Sequence, residues 1–215
     1  MPIDQHIAAG FDHASLQRSG IARSTARVFN IAGDPGAVIA SLGMIGAGYI
    51  AGSGRLKDMG VHTTMAVAMS GLVTALIKGV AGRQRPSLDR RDADEFSMGA
   101  GFQTGARTSF PSGHTSAAFA FASTVAFEAE HWSPQVAKVL RPALFASAGL
   151  VGLARMFYAK HWASDVVLGA GIGTFSGLVV VRYGHGEAGP FSRPLMPRIG
   201  PSYDGVALSW SLPLD

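Results

Sequence analysis

The sequence predicts an all-α protein built as an up-down helical bundle, because helix-length apolar segments recur along the chain while alternating strand patterns are almost absent. The chain has 215 residues, of which 47% are hydrophobic and 15% charged, and its mean hydropathy is +0.24. That charged fraction is well below the roughly 25% of an average soluble domain. We therefore expect one apolar helical domain over residues 1–182, followed by a C-terminal tail over residues 183–215.

Five apolar segments of helix length, rich in small residues, supply the bundle. They are residues 36–52, 61–80, 115–130, 141–156 and 163–181. Before them, residues 14–30 mix arginines with apolar residues, which predicts an amphipathic helix that lies along a surface and ends before the turn signal at residues 33–36. After Arg182 the composition changes to Gly, Pro and polar residues. We therefore expect residues 206–212 to form either one short strand or part of an extended tail.

Composition and charge exclude several functional classes. The chain contains no cysteine, which excludes a thiol nucleophile and a thiolate metal site. Its net charge is +4, but no run of five or six like charges occurs, so nucleic acid is not an expected partner.

Each apolar segment is close to the lower limit of about 20 residues for a bilayer span. A membrane bundle and a tightly packed soluble bundle both fit this pattern.

Lys78 and Arg85 form the first block with possible chemistry. They are seven residues apart at the end of the second apolar segment, which places two cations on one helical face if the helix continues that far. The alternative is a basic helix terminus that offsets the helix dipole, with Pro86 ending the helix. The position of this block relative to the others must decide between these interpretations.

The second block is the stretch FPSGHTS, residues 110–116. Ser112 is a typical N-cap residue, and Gly113 allows a ligand to approach the backbone. The helix that follows offers unpaired N–H groups to an anion, and a phosphate would fit there. The alternative is a plain helix cap, with His114 as a helix-end histidine.

Arg155, His161 and Asp165 form the third block. If a regular helix begins near His161, the Asp165 carboxylate lies one turn further on and can accept the imidazole N–H. That bond would fix the tautomer and leave the other nitrogen as a nucleophile. The alternatives are a surface i, i+4 pair or a metal site with His114, His161 and Asp165 as ligands. The nearby lysine and arginines favour an anion over a dication.

An up-down bundle with short connections brings the three blocks to one end. The residues that converge are Lys78, Arg85, Ser112, Gly113, His114, Arg155, His161 and Asp165. Three cations, a helix N-terminus and a hydroxyl suit a phosphate and its trigonal-bipyramidal transition state. One histidine, held by Asp165, can attack phosphorus, while the other protonates the departing oxygen. This chemistry requires no metal ion.

The three blocks resemble the signature of the type 2 phosphatidic acid phosphatase and vanadium haloperoxidase superfamily. Order, spacing and residue types agree from Lys78 to Asp165, and the flanks lie outside the resemblance. The resemblance implies an all-α bundle, a phosphohistidine on His161, general acid catalysis by His114 and orientation of His161 by Asp165. It also implies a phosphate cradle, whose residues are Lys78, Arg85, Arg155, Ser112 and Gly113. One departure is Ala154, where the family often has serine, so one possible hydrogen bond is missing.

The favoured function is that of a metal-independent phosphatase, without cofactor, that acts on phosphomonoesters or diphosphates. The apolar helices favour a lipid-linked substrate of the phosphatidic acid or isoprenoid diphosphate type, and vanadate is expected to inhibit. One alternative is a vanadate-dependent haloperoxidase, with vanadate as cofactor, and another is a non-catalytic anion-binding membrane protein. The long segment 87–110 could gate the site or be a plain solvated loop.

The resemblance implies a location in the cytoplasmic membrane, with the site facing outward to the periplasm. The N-terminal residues lack the basic-then-apolar pattern of a signal peptide. The alternative is therefore a soluble periplasmic protein whose signal peptide is missing from this chain. The oligomeric state is left open.

Overall fold

The computed structural model describes residues 2–33, 35–89, 92–186, 198–202 and 205–209. The helices in these ranges are α1 (Pro2–Phe11), α2 (Ala14–Arg18), α3 (Gly20–Gly33), α4 (Gly36–Ile50), α5 (Gly54–Ala81), α6 (Gly113–Trp132), α7 (Pro134–Phe157) and α8 (Ala163–Gly184). Two 3₁₀ turns, Ala100–Phe102 and Gly105–Arg107, lie between α5 and α6. Two strands, β1 (Arg198–Ser202) and β2 (Gly205–Ser209), pair antiparallel near the C-terminus.

Helix α6 is the central element of the bundle. It packs against α5, α7 and α8, and more briefly against α3 and α4. More than half of its 20 residues are buried, most of them Ala, Ser or Thr. Small side chains allow the surrounding helices to come close to the α6 backbone. The N-terminus of α6 is therefore enclosed by its neighbours.

Helices α6 and α8 pack closely over an extensive contact, and glycines on α8 make this possible. A Cβ on Gly169 would lie only 2.5 Å from the carbonyl oxygen of Ser112 in α6. Gly173 and Gly177, one and two turns further along α8, meet α6 in the same way. Because residues four apart share a helical face, the three glycines form one stripe along the contact. The stripe leaves no room for a side chain between the two helices.

The outer helices have the length and the exposed apolar surface that are typical of a membrane protein. Helices α5, α7 and α8, with 28, 24 and 22 residues, are each long and apolar enough to cross a bilayer, and α3 with α4 would add a fourth span if together they form one. Large apolar side chains on these helices face outward, with Leu72 64%, Val139 74% and Phe175 65% exposed. Such a surface is typical of contact with lipid.

The five predicted apolar helices are confirmed as α4 to α8, although two of them begin a turn or more earlier than expected. Helix α5 starts at Gly54 because the Ser53 hydroxyl accepts a hydrogen bond from Leu56 N–H at 3.3 Å, as N-cap serines do. Helix α7 starts at Pro134 and continues through Pro142. The sequence pattern missed these polar first turns because they lack an apolar face.

The N-terminal region differs more from the expectation. The amphipathic helix predicted over residues 14–30 is interrupted at Ser19, whose hydroxyl accepts from Ala22 N–H at 3.3 Å and so caps α3. Helix α1 was not predicted. At the other end, α8 continues to Gly184, two residues into the expected tail. Residues 187–197, 203–204 and 210–215 of that tail lie outside the described residues, and the division at residue 182 stays a prediction.

Candidate active site

The C-terminal ends of α5 and α7 and the N-terminal ends of α6 and α8 meet at one end of the bundle, as the up-down topology predicts. Each end supplies one of the sequence blocks, and the segment between α5 and α6 folds over them. The polar side chains of the blocks are buried or half-buried. The predicted residues are therefore brought together in a partly enclosed site.

Lys78 and Arg85 meet at Thr108 and not on a common helical face. Helix α5 ends at Ala81, and Gly82 follows in the left-handed region with φ +57°, so the helix does not continue as far as a common face would require. Lys78 Nζ donates to the Thr108 carbonyl at 2.8 Å, and Arg85 donates to the Thr108 hydroxyl at 2.9 Å. Burial lowers the pKa of Arg85, but an arginine remains cationic in proteins. The two cations thus line one wall of the site.

The segment between α5 and α6 is part of the site wall. A Cβ on Gly82 would lie 1.8 Å from the Ser97 carbonyl oxygen, and one on Gly101 would lie 1.9 Å from the Lys78 carbonyl oxygen. Ser109 N–H donates to the Arg83 carbonyl at 3.1 Å. These contacts require glycine at both positions, because any side chain would collide with backbone. They hold the segment against the end of α5.

The stretch from Ser112 to His114 opens α6 as predicted. The Ser112 hydroxyl accepts from Thr115 N–H at 3.4 Å and from the Thr115 hydroxyl at 2.9 Å, so it caps the helix. A Cβ on Gly113 would lie 3.7 Å from Lys78 Cε, so the helix N-terminus faces the lysine side chain. His114 is half-buried in the first turn and lies against Gly33 of α3.

His161 is held by a backbone carbonyl. Its Nδ1 lies 2.6 Å from the Ser109 carbonyl oxygen, and since a carbonyl can only accept, Nδ1 carries the proton. The lone pair of the neutral imidazole is then on Nε2. Burial is the largest cause that lowers the pKa of His161, to about 4, and the charges of Lys78 and Arg155 lower it further. His161 is therefore a neutral base at physiological pH.

Asp165 orients this histidine indirectly. Its Oδ2 lies 3.6 Å from His161 Nδ1, too far for the hydrogen bond that the sequence predicts between them. Instead, Oδ2 accepts from the Ser109 hydroxyl at 2.5 Å and from Trp162 N–H at 2.8 Å. The reason is that α8 begins at Ala163, after His161, so the two residues do not share a helix. Asp165 holds Ser109, and Ser109 holds His161.

Arg155 in the last turn of α7 is buried and donates to the Asn30 side-chain oxygen on α3.

Sequence reasoning missed Asn30 and Ser109, since nothing in the sequence around them marks their tertiary contacts. It also missed Arg83, which lies inside the first block, two residues before Arg85. Arg83 donates to Asp165 Oδ1 at 2.5 Å. Its position within the block was the one available signal.

A second polar cluster lies at the opposite end of the bundle, where the sequence suggests no site. Glu128 is buried, with Oε1 2.5 Å from His62 Nδ1 and Oε2 3.1 Å from His185 Nε2. His131 stacks on His185 at 3.9 Å between ring centroids. Across the part of the chain that the structure describes, no group of three or more His, Asp or Glu side chains is arranged to hold a metal ion.

The sequence is similar to a known protein family and to two curated relatives. Residues 60–187 match the family described as the PAP2 superfamily. The chain is 32% identical over 143 residues to a lipid A 1-phosphatase of Porphyromonas gingivalis and 31% identical over 121 residues to one of Rhizobium johnstonii. These alignments cover 65% and 56% of this chain, but only 27% and 46% of the relatives. The chain thus spans less than half the length of these relatives.

Two solved structures have a similar fold. One is described as the first transmembrane PAP2 type phosphatidylglycerolphosphate phosphatase from Bacillus subtilis, with a TM-score of 0.66, 19% identity and coverage of 85% of both chains. The other is Aquifex aeolicus LpxE, with a TM-score of 0.59, 20% identity and coverage of 83% of this chain and 94% of that one. The all-α fold predicted from the sequence is confirmed.

Proposed function

Because the chain belongs to the PAP2 superfamily, we propose that it is a phosphatase that cleaves lipid-linked phosphomonoesters or diphosphates through a phosphohistidine intermediate. The observation that carries this proposal is the 2.6 Å contact between His161 Nδ1 and the Ser109 carbonyl. It leaves the Nε2 lone pair of a neutral imidazole as the nucleophile, beside Lys78 and Arg155. A neutral imidazole among cations can attack a phosphoryl group that the cations hold.

The proposed reaction has two steps. In the first, His161 Nε2 bonds to phosphorus while the bond to the leaving oxygen breaks, and protonated His114 donates its proton to that oxygen. In the second, water attacks phosphorus, His114 takes a proton from the water, and the N–P bond breaks to release phosphate. Lys78, Arg85 and Arg155 offset the charge on the phosphoryl oxygens, together with the N–H groups at the start of α6.

The geometry of Asp165 supports a reaction without a metal ion. Its Oδ1 accepts from Arg83, and its Oδ2 accepts from Ser109 and Trp162 N–H. A carboxylate engaged on both oxygens with a guanidinium and two neutral donors is a poor ligand for a dication. The same cradle suits vanadate, which copies the trigonal-bipyramidal state, so vanadate is an expected inhibitor.

A lipid-linked substrate is supported by the position of the site at one end of apolar helices that are long enough to cross a membrane. A lipid in the bilayer presents its phosphate at the same level as the ends of these helices. The relatives are described as lipid A 1-phosphatases, so a lipid A phosphate belongs among the first substrates to test. We propose that the site faces outward from the cytoplasmic membrane.

The test is hydrolysis of lipid phosphates in mixed micelles with excess EDTA. Wild-type protein should release phosphate and carry radiolabelled phosphate transiently after a rapid acid-free quench. His161→Ala should lose both signals, while His131→Ala, at the opposite end of the bundle, should keep both. Loss of wild-type turnover in EDTA would instead point to a metal enzyme.

A substrate panel identifies the leaving group. Lipid A 1-phosphate, phosphatidic acid, a phosphatidylglycerol phosphate and an isoprenoid diphosphate should be compared at equal surface concentration. We expect kcat/KM to differ among them while vanadate inhibits with the same Ki. Bromide oxidation by peroxide with vanadate, in the absence of phosphate release, would contradict the phosphatase.

A further inference from the structure

Arg83 is a fully buried cation that contacts Asp165 behind the site. Its guanidinium lies 5.1 Å from the ring centroid of Phe96, 5.9 Å from that of Phe110 and 5.5 Å from that of Trp162. Aromatic faces stabilise a flat guanidinium and exclude water from it. A charge in such surroundings must be matched by acceptors, because burial of an unpaired ion is costly.

The acceptors use every N–H that Arg83 has. Its NH1 donates to Asp165 Oδ1 at 2.5 Å and to the Ser164 hydroxyl at 2.7 Å. Its NH2 donates to Asp4 Oδ2 at 2.7 Å and to the Ala93 carbonyl at 2.6 Å, and Nε donates to the same carbonyl at 3.0 Å. These are the five donors of an arginine. Lysine could not reproduce this arrangement.

The network extends from Arg83 to the nucleophile. Arg83 fixes Oδ1 of Asp165, while Oδ2 of the same carboxylate accepts from the Ser109 hydroxyl at 2.5 Å. The Ser109 carbonyl then accepts from His161 Nδ1 at 2.6 Å. Three contacts in series therefore connect Arg83 to the His161 imidazole, and every intermediate group is buried.

Asp4 brings the N-terminal helix α1 into the same network. It is 3% exposed, and besides Arg83 it accepts from Ser164 N–H at 2.9 Å and from the Ser164 hydroxyl at 2.5 Å. Ser164 is in the first turn of α8, where backbone N–H groups lack helical partners. Further along α1, Ile7 and Ala8 line a small cavity that His161 also lines. Helix α1 therefore covers the side of the nucleophile.

We propose that Asp4 and Arg83 are positioning residues for His161, and that α1 is a functional part of the active site. This inference rests on the proposed phosphatase function. It adds Arg83, an unassigned residue of the first block, and Asp4, which lies outside the three sequence blocks. The two carboxylates, one from α1 and one from α8, clamp Arg83 between them. The clamp keeps Asp165, Ser109 and the His161 imidazole in the geometry that in-line attack requires.

The experiment measures His161 phosphorylation by rapid quench in detergent-solubilised full chain with a radiolabelled lipid phosphate. Arg83→Gln should lower the rate constant of phosphorylation on the order of 100-fold, because misplacement of a reacting group by about 1 Å costs that much. Asp4→Asn keeps the shape of the side chain and should lower the rate constant about tenfold, the loss of one charged contact. The amplitude of inorganic phosphate binding, measured as sites per chain, and the Kd for inorganic phosphate should remain those of the wild type, because phosphate is a ground-state ligand and does not copy the transition state.

The amplitude separates positioning from folding, since a partly unfolded variant loses amplitude while its remaining molecules react at the normal rate. Glu128→Gln is the matched control, because it neutralises a buried carboxylate that is bonded to His62 and His185 at the far end of the bundle. It should change neither rate constant nor amplitude.

Two results would overturn the inference. If variants of Asp4 and Arg83 keep the wild-type rate constant, or lose amplitude only, the network has a structural role and does not position His161. If wild-type protein forms no phosphoenzyme and releases no phosphate, the proposed function itself fails, and the positioning role falls with it. Should Arg83→Gln fail to fold, the isosteric Asp4→Asn decides the question alone.

Discussion

The amide nitrogen of Ser112 donates to the carbonyl oxygen of Asp165 at 2.9 Å. This bond joins the first turn of α6, which carries His114, to the first turn of α8, which carries the carboxylate that supports His161. The proposed acid and the proposed nucleophile are therefore positioned by two helix starts that are fastened to each other. The consequences can be measured separately for each histidine.

His114→Gln should reveal the general acid through its dependence on the leaving group. A general acid contributes roughly 10²- to 10⁴-fold when the departing oxygen is a poor leaving group. We expect kcat/KM, which reports the phosphorylation step and not the common hydrolysis step, to fall within that range for an alkyl phosphate and far less for p-nitrophenyl phosphate. An equal loss for both substrates would show that His114 does not protonate the leaving group.

His161 should titrate near pH 4 instead of near 6.5, because burial lowers its pKa to about 4. Imidazole NMR of histidine-labelled protein, with the resonance assigned by His161→Gln, measures this directly. The folded state binds fewer protons than the unfolded state between these two pH values. The group's contribution to the free energy of unfolding is thus complete above pH 6.5 and is lost as the pH falls toward 4. Titration near 6.5 would contradict the buried, neutral imidazole.

Asn30→Ala should weaken phosphate binding, since the Asn30 side-chain oxygen accepts from Arg155. A hydrogen bond to a charged group contributes about 1.5–3 kcal/mol, so the Kd for inorganic phosphate should rise about tenfold or more. Thr25→Ala, on the exposed side of the same helix, is the control and should leave the Kd unchanged. An unaltered Kd in Asn30→Ala would mean that Arg155 is oriented without Asn30.

Gly82→Ala and Gly52→Ala form a matched pair that isolates one contact. Both glycines have positive φ, +57° and +63°, but a Cβ on Gly82 would meet the Ser97 carbonyl, whereas a Cβ on Gly52 would meet nothing within 4 Å. Each substitution should cost about 1–2 kcal/mol for the left-handed backbone. Gly82→Ala should cost about 1–3 kcal/mol more for the collision.

Thermal unfolding in detergent measures this difference, and phosphate affinity should fall only in Gly82→Ala. The reason is that Gly82 holds the segment with Thr108, which both Lys78 and Arg85 contact. Equal losses of stability in the two variants would show that the segment between α5 and α6 moves to relieve the contact with the Ser97 carbonyl at no cost in stability.

The convergence of the candidate site residues could be predicted from the sequence because each block is a few residues long and lies at a helix end. Once the apolar helices were recognised, alternating direction brought Lys78, His114 and His161 to one end of the bundle. The hydrogen bonds could not be predicted in the same way. His161 donates to a carbonyl of a loop, and any residue type supplies a carbonyl, so Ser109 left no signature.

Asp4 illustrates a different limit. It is 161 positions from Asp165, on a short helix without an apolar stripe, and only the folded chain shows that both carboxylates contact Arg83. The interruption at Ser19 was missed for a local reason, since a serine hydroxyl can replace a helical partner at any exposed position. Sequence patterns report faces and ends of helices, while contacts between distant side chains depend on packing.

The glycine stripe on α8 also fixes the position of the first turn of α8 relative to the first turn of α6. Gly169, Gly173 and Gly177 interlock with α6, and a shift of α8 by one residue along α6 would move its first turn by about 1.5 Å and rotate it by about 100°. Such a slip would place residues with side chains where the glycines now meet α6. The distance between the helix start that carries His114 and the helix start that carries Asp165 is therefore set along the length of the bundle, well away from the phosphate itself.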